Sequence, residues 1–264
     1  MTRKNPLTLL SLPLFSLALL FNSVINAGAA DKKWINLFNG KDLDGWIIKF
    51  AGHDLGENYQ KTFQVKDGKL VADYSNYTAF DGDFGHIFYT QKFSNYTLRL
   101  EYRFTGEQTS GGPGWAYRNS GIMIHSQPPE SMARDQLFPA SVEVQLLGGR
   151  DTGERPTANV CTPATHINLN GKLETEHCIN STSATFRGDQ WVTVEVEVRN
   201  SQLIRHSVNG VTVLEYNAPQ VDATDEETPP YGPAGNLLRD GYIALQAESH
   251  PVEFRNIRVL NHDQ

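Results

Sequence analysis

The sequence predicts an all-β fold, a sandwich or jelly roll of two antiparallel sheets. Three observations point there. Helical periodicity is nearly absent. Short runs of alternating apolar and polar residues recur along the chain, the period-2 signature of half-buried strands. Gly, Asn, Asp and Pro punctuate those runs, as the many short strands of a sandwich require.

Taken in chain order, Trp34 to Trp46 are expected to close the sandwich beside the C-terminal strand. Strands over 62–66 and 69–73 flank Asp67-Gly68, a hairpin turn. Further strands are predicted over 86–90 and 97–104, the latter with Leu98, Leu100, Tyr102 and Phe104 on one side. Strands over 121–126 and 141–147 follow. The clearest alternation is Trp191 to Arg199: Val192, Val194, Val196 and Val198 share one face, Thr193, Glu195, Glu197 and Arg199 the other. Leu203 to Val208 ends at Asn209-Gly210, a second hairpin signal, with Thr212 to Tyr216 as its partner. Asp222 to Gly235 is acidic and Pro-rich and reads as a surface loop. Strands over 241–248 and 252–260 complete the set. No repeat or linker divides the chain, so one domain is expected over residues 31–264.

Residues 1–30 have the order of a secretory leader. Arg3 and Lys4 precede the mostly apolar Leu7 to Val24, and Ala27, Gly28, Ala29 and Ala30 offer small side chains for cleavage. A membrane anchor is the competing reading, but Pro13 and several Ser interrupt the run, which is short for a span of roughly 20 residues. Export to the periplasm or beyond is therefore expected, with no membrane association after cleavage. Removing Arg3 and Lys4 takes the net charge from −7 to −9. An acidic chain with no basic block excludes nucleic acid as a partner, because phosphate binding needs clustered Lys and Arg. Cys161 and Cys178 fall in the exported part and suggest one disulfide. It would close a loop of about 18 residues, worth on the order of 3 kcal/mol in the chain-entropy model. A free pair, or a metal site shared with His166 and His177, are the alternatives; zinc-type Cys pairs are usually spaced more closely.

Three of the predicted strands carry an unusual second face. Ile122 and Ile124 oppose Asn119, Gly121, Met123 and His125; Val142, Val144 and Leu146 oppose Ser141, Glu143 and Gln145; Ile243, Leu245 and Ala247 oppose Tyr242, Gln246 and Glu248, with His250 just beyond. These faces lack Lys and are rich in amide, carboxylate and imidazole, groups that suit sugar hydroxyls. Trp115, Tyr117 and Tyr231 lie in flanking loops and could pack on the CH faces of sugar rings. Taken singly, each residue also has an ordinary surface or core role. A common site requires that the three strands be neighbours.

At these same residues the chain resembles the 3-keto-disaccharide hydrolase family. The resemblance is carried by Trp34-Ile35-Asn36-Leu37-Phe38-Asn39-Gly40-Lys41-Asp42-Leu43-Asp44-Gly45-Trp46, by Arg118-Asn119-Ser120-Gly121-Ile122 and by Ser141-Val142-Glu143-Val144-Gln145-Leu146. It continues through His206-Ser207-Val208-Asn209-Gly210, Gly241 to His250 and Val252 to Ile257, and so runs over about residues 33 to 260. It implies a concanavalin A-like jelly-roll sandwich of two curved antiparallel sheets, with ligand on the concave face. It also implies activity on glycosides oxidised at carbon 3 of the sugar.

Laminarinase-like enzymes of that fold carry Glu-x-Asp-x-x-Glu on one strand. Here the stretch reads Glu143-Val144-Gln145-Leu146-Leu147-Gly148, so double displacement by two close carboxylates has no basis in this strand alone. A 3-keto group offers another route, because it acidifies the proton on carbon 2. A base removes that proton, the glycosidic oxygen leaves carbon 1, and water adds back across the double bond. The expected proton carriers are Glu143, Glu248, His125 and His166. Arg118 is the expected enolate clamp, with Asn119, Gln145, Gln246, Tyr242 and His250 orienting the sugar and Trp115 and Tyr117 supplying rings. A divalent metal held by His and Glu could replace the clamp, although no tight ligand motif is present. A non-catalytic, lectin-like carbohydrate-binding domain is the competing function.

Overall fold

Val192, Val194, Val196 and Val198 are all buried, while Thr193, Glu195, Glu197 and Arg199 between them are half-exposed. The same in–out alternation organises the rest of the chain. The structure, a computed structural model, describes Met1, Thr2 and residues 33–263. The leader read in residues 1–30 falls, but for its first two residues, outside them.

The strands in chain order are β1 (Trp34–Asn36), β2 (Trp46–Phe50), β3 (Phe63–Lys66), β4 (Lys69–Ala72), β5 (Gly85–Tyr89) and β6 (Asn95–Phe104). Next come β7 (Asn119–Ser126), β8 (Val142–Leu147), β9 (Asn159–Cys161), β10 (Thr165–Leu169), β11 (Lys172–Glu174) and β12 (Cys178–Ile179). The last five are β13 (Val192–Arg199), β14 (Leu203–Val208), β15 (Val211–Val221), β16 (Tyr242–Ala247) and β17 (Val252–Asn261). They form two antiparallel sheets. The larger runs β11-β10-β15-β14-β13-β6-β17-β4-β3, with β1 added on β17; the smaller runs β12-β9-β8-β7-β16-β5-β2. Their apolar faces meet in one core that includes Leu98, Leu100, Val194 and Val196 from the larger sheet and Ile122, Val144 and Leu245 from the smaller.

The opening segment closes the sandwich as expected: Trp34 pairs with Leu260 and Asn36 with Arg258. The outward face of the larger sheet is tied by charge. Arg99 and Arg258 stand 4.9 Å from the Trp34 ring, Arg255 stacks 4.0 Å from Trp191, and Glu195 and Glu101 pair with Arg99 and Arg255.

Five short strands, β2, β9, β10, β11 and β12, were not among those predicted. Four have two to five residues spread over 159–179, too short for alternation to register. The strand predicted over Thr212 to Tyr216 extends to Val221, past a register shift opposite His206 and Ser207. None of the described helices is long and apolar enough to cross a membrane.

Candidate functional site: a carboxyl-floored cleft

The three unusual strands are neighbours. β7 lies between β8 and β16; Met123 pairs with Glu143 and Gly121 with Gln145, and on the other side Leu245 pairs with Ile122. With Ile122, Val144 and Leu245 in the core, the alternate residues Gly121, Glu143, Gln145 and Gln246 project from the opposite face. Pairing of Gln246 with His86, and of His86 with Lys49, extends this face across β5 and β2.

The face is divided into two halves. One is sealed: Phe88, Met123 and Ala244 pack with Met132 under the segment after β7. Gln127 pins that cover, its Oε1 accepting from Gln136 Nε2 and from the Ala140 amide. The other half opens into a cleft of about 660 Å³. Asn119, Glu143, Gln145 and Glu248 line it, joined by Trp115 and Phe138. The remaining wall comes from the corner where β9 hands over to β10, from the Cys161–Cys178 disulfide and from the loop after β15. That disulfide bridges the paired strands β9 and β12.

Glu143 and Glu248 are both buried. Glu143 fits because its neighbour is a glycine: a Cβ on Gly121 would lie 2.4 Å from Glu143 Oε1. Burial raises the Glu143 carboxyl above the usual carboxylate range. Burial likewise raises Glu248 well above that range, the Glu143 charge adds to the effect, and the Arg155 guanidinium opposes it. The pair therefore holds a proton that exposed carboxyls would have released.

The amides are oriented by their neighbours. Asn159 accepts from the Ser181 amide through Oδ1, which turns its Nδ2 toward Gln145 Oε1 at 3.0 Å. The Nε2 donor of Gln145 is thereby left for the cleft. Asn119 Oδ1 and Glu248 Oε2 are buried without protein partners. Trp115 is half exposed and stacked on Phe84, ring centroids 5.6 Å apart and 10° from parallel, which fixes a flat apolar platform at the mouth. His166 reaches the cleft from the larger sheet, with Nε2 3.4 Å from Asp222 Oδ1.

Several expected site residues lie elsewhere. The register slips by one between Tyr242 and Ala244, so β7 carries a bulge, and His125 sits there at φ +49°. Its ring is thereby turned away from Glu143, and Nε2–H donates to the Asn200 carbonyl at 3.1 Å. Tyr242 borders the sealed half and meets Lys92 instead of the cleft. Arg118 is no clamp on the cleft: its guanidinium donates to the Gly188 carbonyl at 2.7 Å and pairs with Asp189. Tyr117 and Phe104 enclose the buried His250 edge-on at 5.2 and 5.6 Å. Burial, then Arg118 and Arg155, push His250 down to about 4 and keep it neutral. Gln246 is fully buried in the row beside His86, outside the cleft lining. Tyr231 is exposed beside Leu237 and Arg239, away from the cleft. Of the predicted residues, Asn119, Glu143, Gln145, Glu248, His166 and Trp115 come together.

Arg155 was not anticipated, and a lone Arg in a turn carries no signal. It donates to the carbonyls of Tyr117, Gly148, Trp115 and Arg118 at 2.6 to 3.3 Å, tying the aromatic loop to β8 while its charge faces Glu248. Phe138, Asn159 and Asp225 were likewise missed. Among the described residues no group of three or more His, Cys, Asp or Glu side chains is placed to hold a metal ion.

Comparison with known proteins agrees with this architecture. Residues 33–260 match the model of the 3-keto-alpha-glucoside-1,2-lyase-like domain. A 3-keto-disaccharide hydrolase of Bacteroides thetaiotaomicron is 24% identical over 246 residues, covering 86% of this chain and 77% of that protein. A crystal structure of a Parabacteroides distasonis protein, provisionally described as a glycosyl hydrolase, superposes with TM-score 0.52 at 18% identity. The alignment covers 87% of this chain and 99% of that one. A second structure from the same organism gives TM-score 0.50 at 21% identity, covering 86% and 93%.

Proposed function

The chain belongs to the 3-keto-alpha-glucoside-1,2-lyase-like family, and from that premise we propose that it cleaves 3-keto-glycosides in the cleft floored by Glu143 and Glu248. The observation that carries this reading is the buried, electrostatically coupled carboxyl pair lining a cleft that also holds oriented amide donors and a Trp115 platform.

The ionised member of the pair takes the proton from carbon 2, which the neighbouring ketone has acidified. The electron pair moves into an enolate, whose oxygen accepts from an amide such as the Gln145 Nε2–H. The enolate collapses, the carbon 1–oxygen bond breaks, and the protonated carboxyl supplies the leaving oxygen with its proton. Water then adds: hydroxide bonds to carbon 1, and the base, its carboxyl proton having exchanged with solvent through the open cleft, protonates carbon 2. His166, held against Asp222, is suited to receive the water's other proton and pass it to the carboxylate that acted as acid. The sum is hydrolysis of the glycoside with no oxidant or reductant consumed. The leader and the disulfide support an exported protein working in the periplasm or outside the cell.

Binding without turnover, as in a lectin, is the competing reading, but a lectin has no need of two buried carboxyls, both raised by burial, with the charge of Glu143 adding to the proton affinity of Glu248. Incubation with phenyl 3-keto-glucoside and with phenyl glucoside separates them. The proposal predicts phenol release from the keto-sugar alone, and binding of both without release contradicts it.

A further inference from the structure

The cleft is lined by carboxyl side chains from three separate segments, namely Glu143, Glu248 and the group Asp222, Asp225 and Glu227; among the described residues no Lys or Arg lines it. The acidic group is built, not a loose run of charge. Asp225 Oδ2 accepts from the Ala164 amide and Oδ1 from the amides of Glu227 and Thr228, at 2.7 to 2.8 Å. Burial works against the Asp225 carboxylate, but those three donors and nearby His177 hold it below the usual range, so it is charged at neutral pH. By fixing the Glu227 backbone, Asp225 stations the exposed Glu227 side chain at the mouth, and none of the ion pairs among the described residues involves it. Two other lining groups point independently to a ligand: Glu248 Oε2 and Asn119 Oδ1, each on a side chain only 3% exposed, have no protein partner.

Charge of one sign gathered at the mouth of a cleft concentrates its field on whatever enters. We infer that the cleft is a charge filter: it favours glycosides whose leaving group is positively charged, accepts neutral ones, and disfavours those bearing carboxylate, sulfate or phosphate, with Glu227 setting the discrimination at the mouth. The inference rests on the reading of this cleft as a glycoside site and adds to it the class of leaving group. A unit charge about 6 Å from one cleft carboxylate shifts affinity roughly three- to tenfold across effective dielectric constants of about 80 to 40. A cation and an anion then differ by more than either does from a neutral group.

The test separates binding from cleavage. Three 3-keto C-glucosides carry a phenyl group that is unsubstituted, 4-trimethylammonium or 4-carboxylate; their carbon–carbon link cannot be cleaved. Calorimetric Kd values at about 20 mM salt are expected to rank cation, neutral, anion, spanning roughly tenfold or more, and to converge at about 0.5 M. Glu227→Gln narrows the span and Glu227→Lys brings the anion ahead of the cation. Equal Kd values at low salt, or the original order kept by Glu227→Lys, overturn the inference, as does failure of all three to bind. Charge ranking without phenol release from the matching O-glucoside removes the cleavage reading and leaves the filter standing. Release without ranking does the reverse.

Discussion

Gly121 makes the room that the Glu143 carboxyl occupies: a methyl group there would meet Oε1 at 2.4 Å and Cγ at 2.8 Å. Gly121→Ala is therefore expected to displace the carboxyl without unfolding the sheet, since the contact is with the end of a side chain. A shift of about 1 Å at a reacting group can cost on the order of a hundredfold. Steady-state kinetics should show kcat/KM down at least roughly tenfold, with the circular dichroism spectrum unchanged.

The carboxyl pair makes stability depend on pH in a definite sense. Burial lifts Glu143 to about 8 in the folded protein, against roughly 4.3 in an unfolded chain. Between those values the folded state binds more protons than the unfolded one, so stability is full below the lower value and falls as pH rises through the upper. Urea titrations should lose on the order of 4 kcal/mol between about pH 5 and 8. Glu143→Gln should flatten that slope.

Arg155 is expected to matter beyond packing. Arg155→Met removes the donor shared by three carbonyls of the 115–118 loop and that of Gly148, just after β8, and removes the cation that opposes protonation of Glu248. KM should rise as the platform loosens. The alkaline limb of the kcat profile should move to higher pH, because the pair then holds its proton more tightly. Arg155→Lys, with three donors in place of the guanidinium fork, should restore the pH profile more fully than KM.

His125 provides the contrast. Its Nε2–H is spent on the Asn200 carbonyl, away from the cleft. His125→Gln should lower the unfolding free energy by about 1–2 kcal/mol while kcat/KM stays within roughly twofold, as for a residue outside the reacting geometry. A hundredfold loss of turnover would return His125 to the list of proton carriers.

Leu100 and Val196 are both fully buried, on neighbouring strands of the larger sheet. Leu100→Ala should cost about 3 kcal/mol and Val196→Ala about 2 kcal/mol in denaturant unfolding, with cleavage of keto-sugar unaffected at temperatures where both variants remain folded.

Much of this was legible in the sequence because period-2 alternation is a property of consecutive residues. It located β6, β7, β8, β13, β14, β16 and β17 and assigned Glu143, Gln145 and Gln246 to the face away from the core. What alternation cannot register is a change in count. One extra residue in β7 reversed the expectation for His125, and a Tyr at the start of β16 fell over Lys92 in place of a sugar. Arg118 looked like a clamp by type, yet Gly188 and Asp189, about 70 positions away, hold it. Arg155 and Asp225 act by reaching carbonyls and amides of distant loops, which no local pattern announces. The acidic loop after β15 was read correctly as a surface segment, but its place on the cleft wall depends on pairing of β10 with β15, a long-range contact.

The most direct measurement is cleavage of phenyl 3-keto-glucoside in heavy water, following phenol release together with deuterium at carbon 2 of the liberated 3-keto sugar, against a protein-free control. If the Glu143–Glu248 pair removes the carbon 2 proton and, after exchange with solvent, reprotonates that carbon, release and carbon 2 labelling should appear together and both should be lost in Glu143→Gln and in Glu248→Gln. Release without deuterium at carbon 2, or undiminished release by either variant, contradicts it.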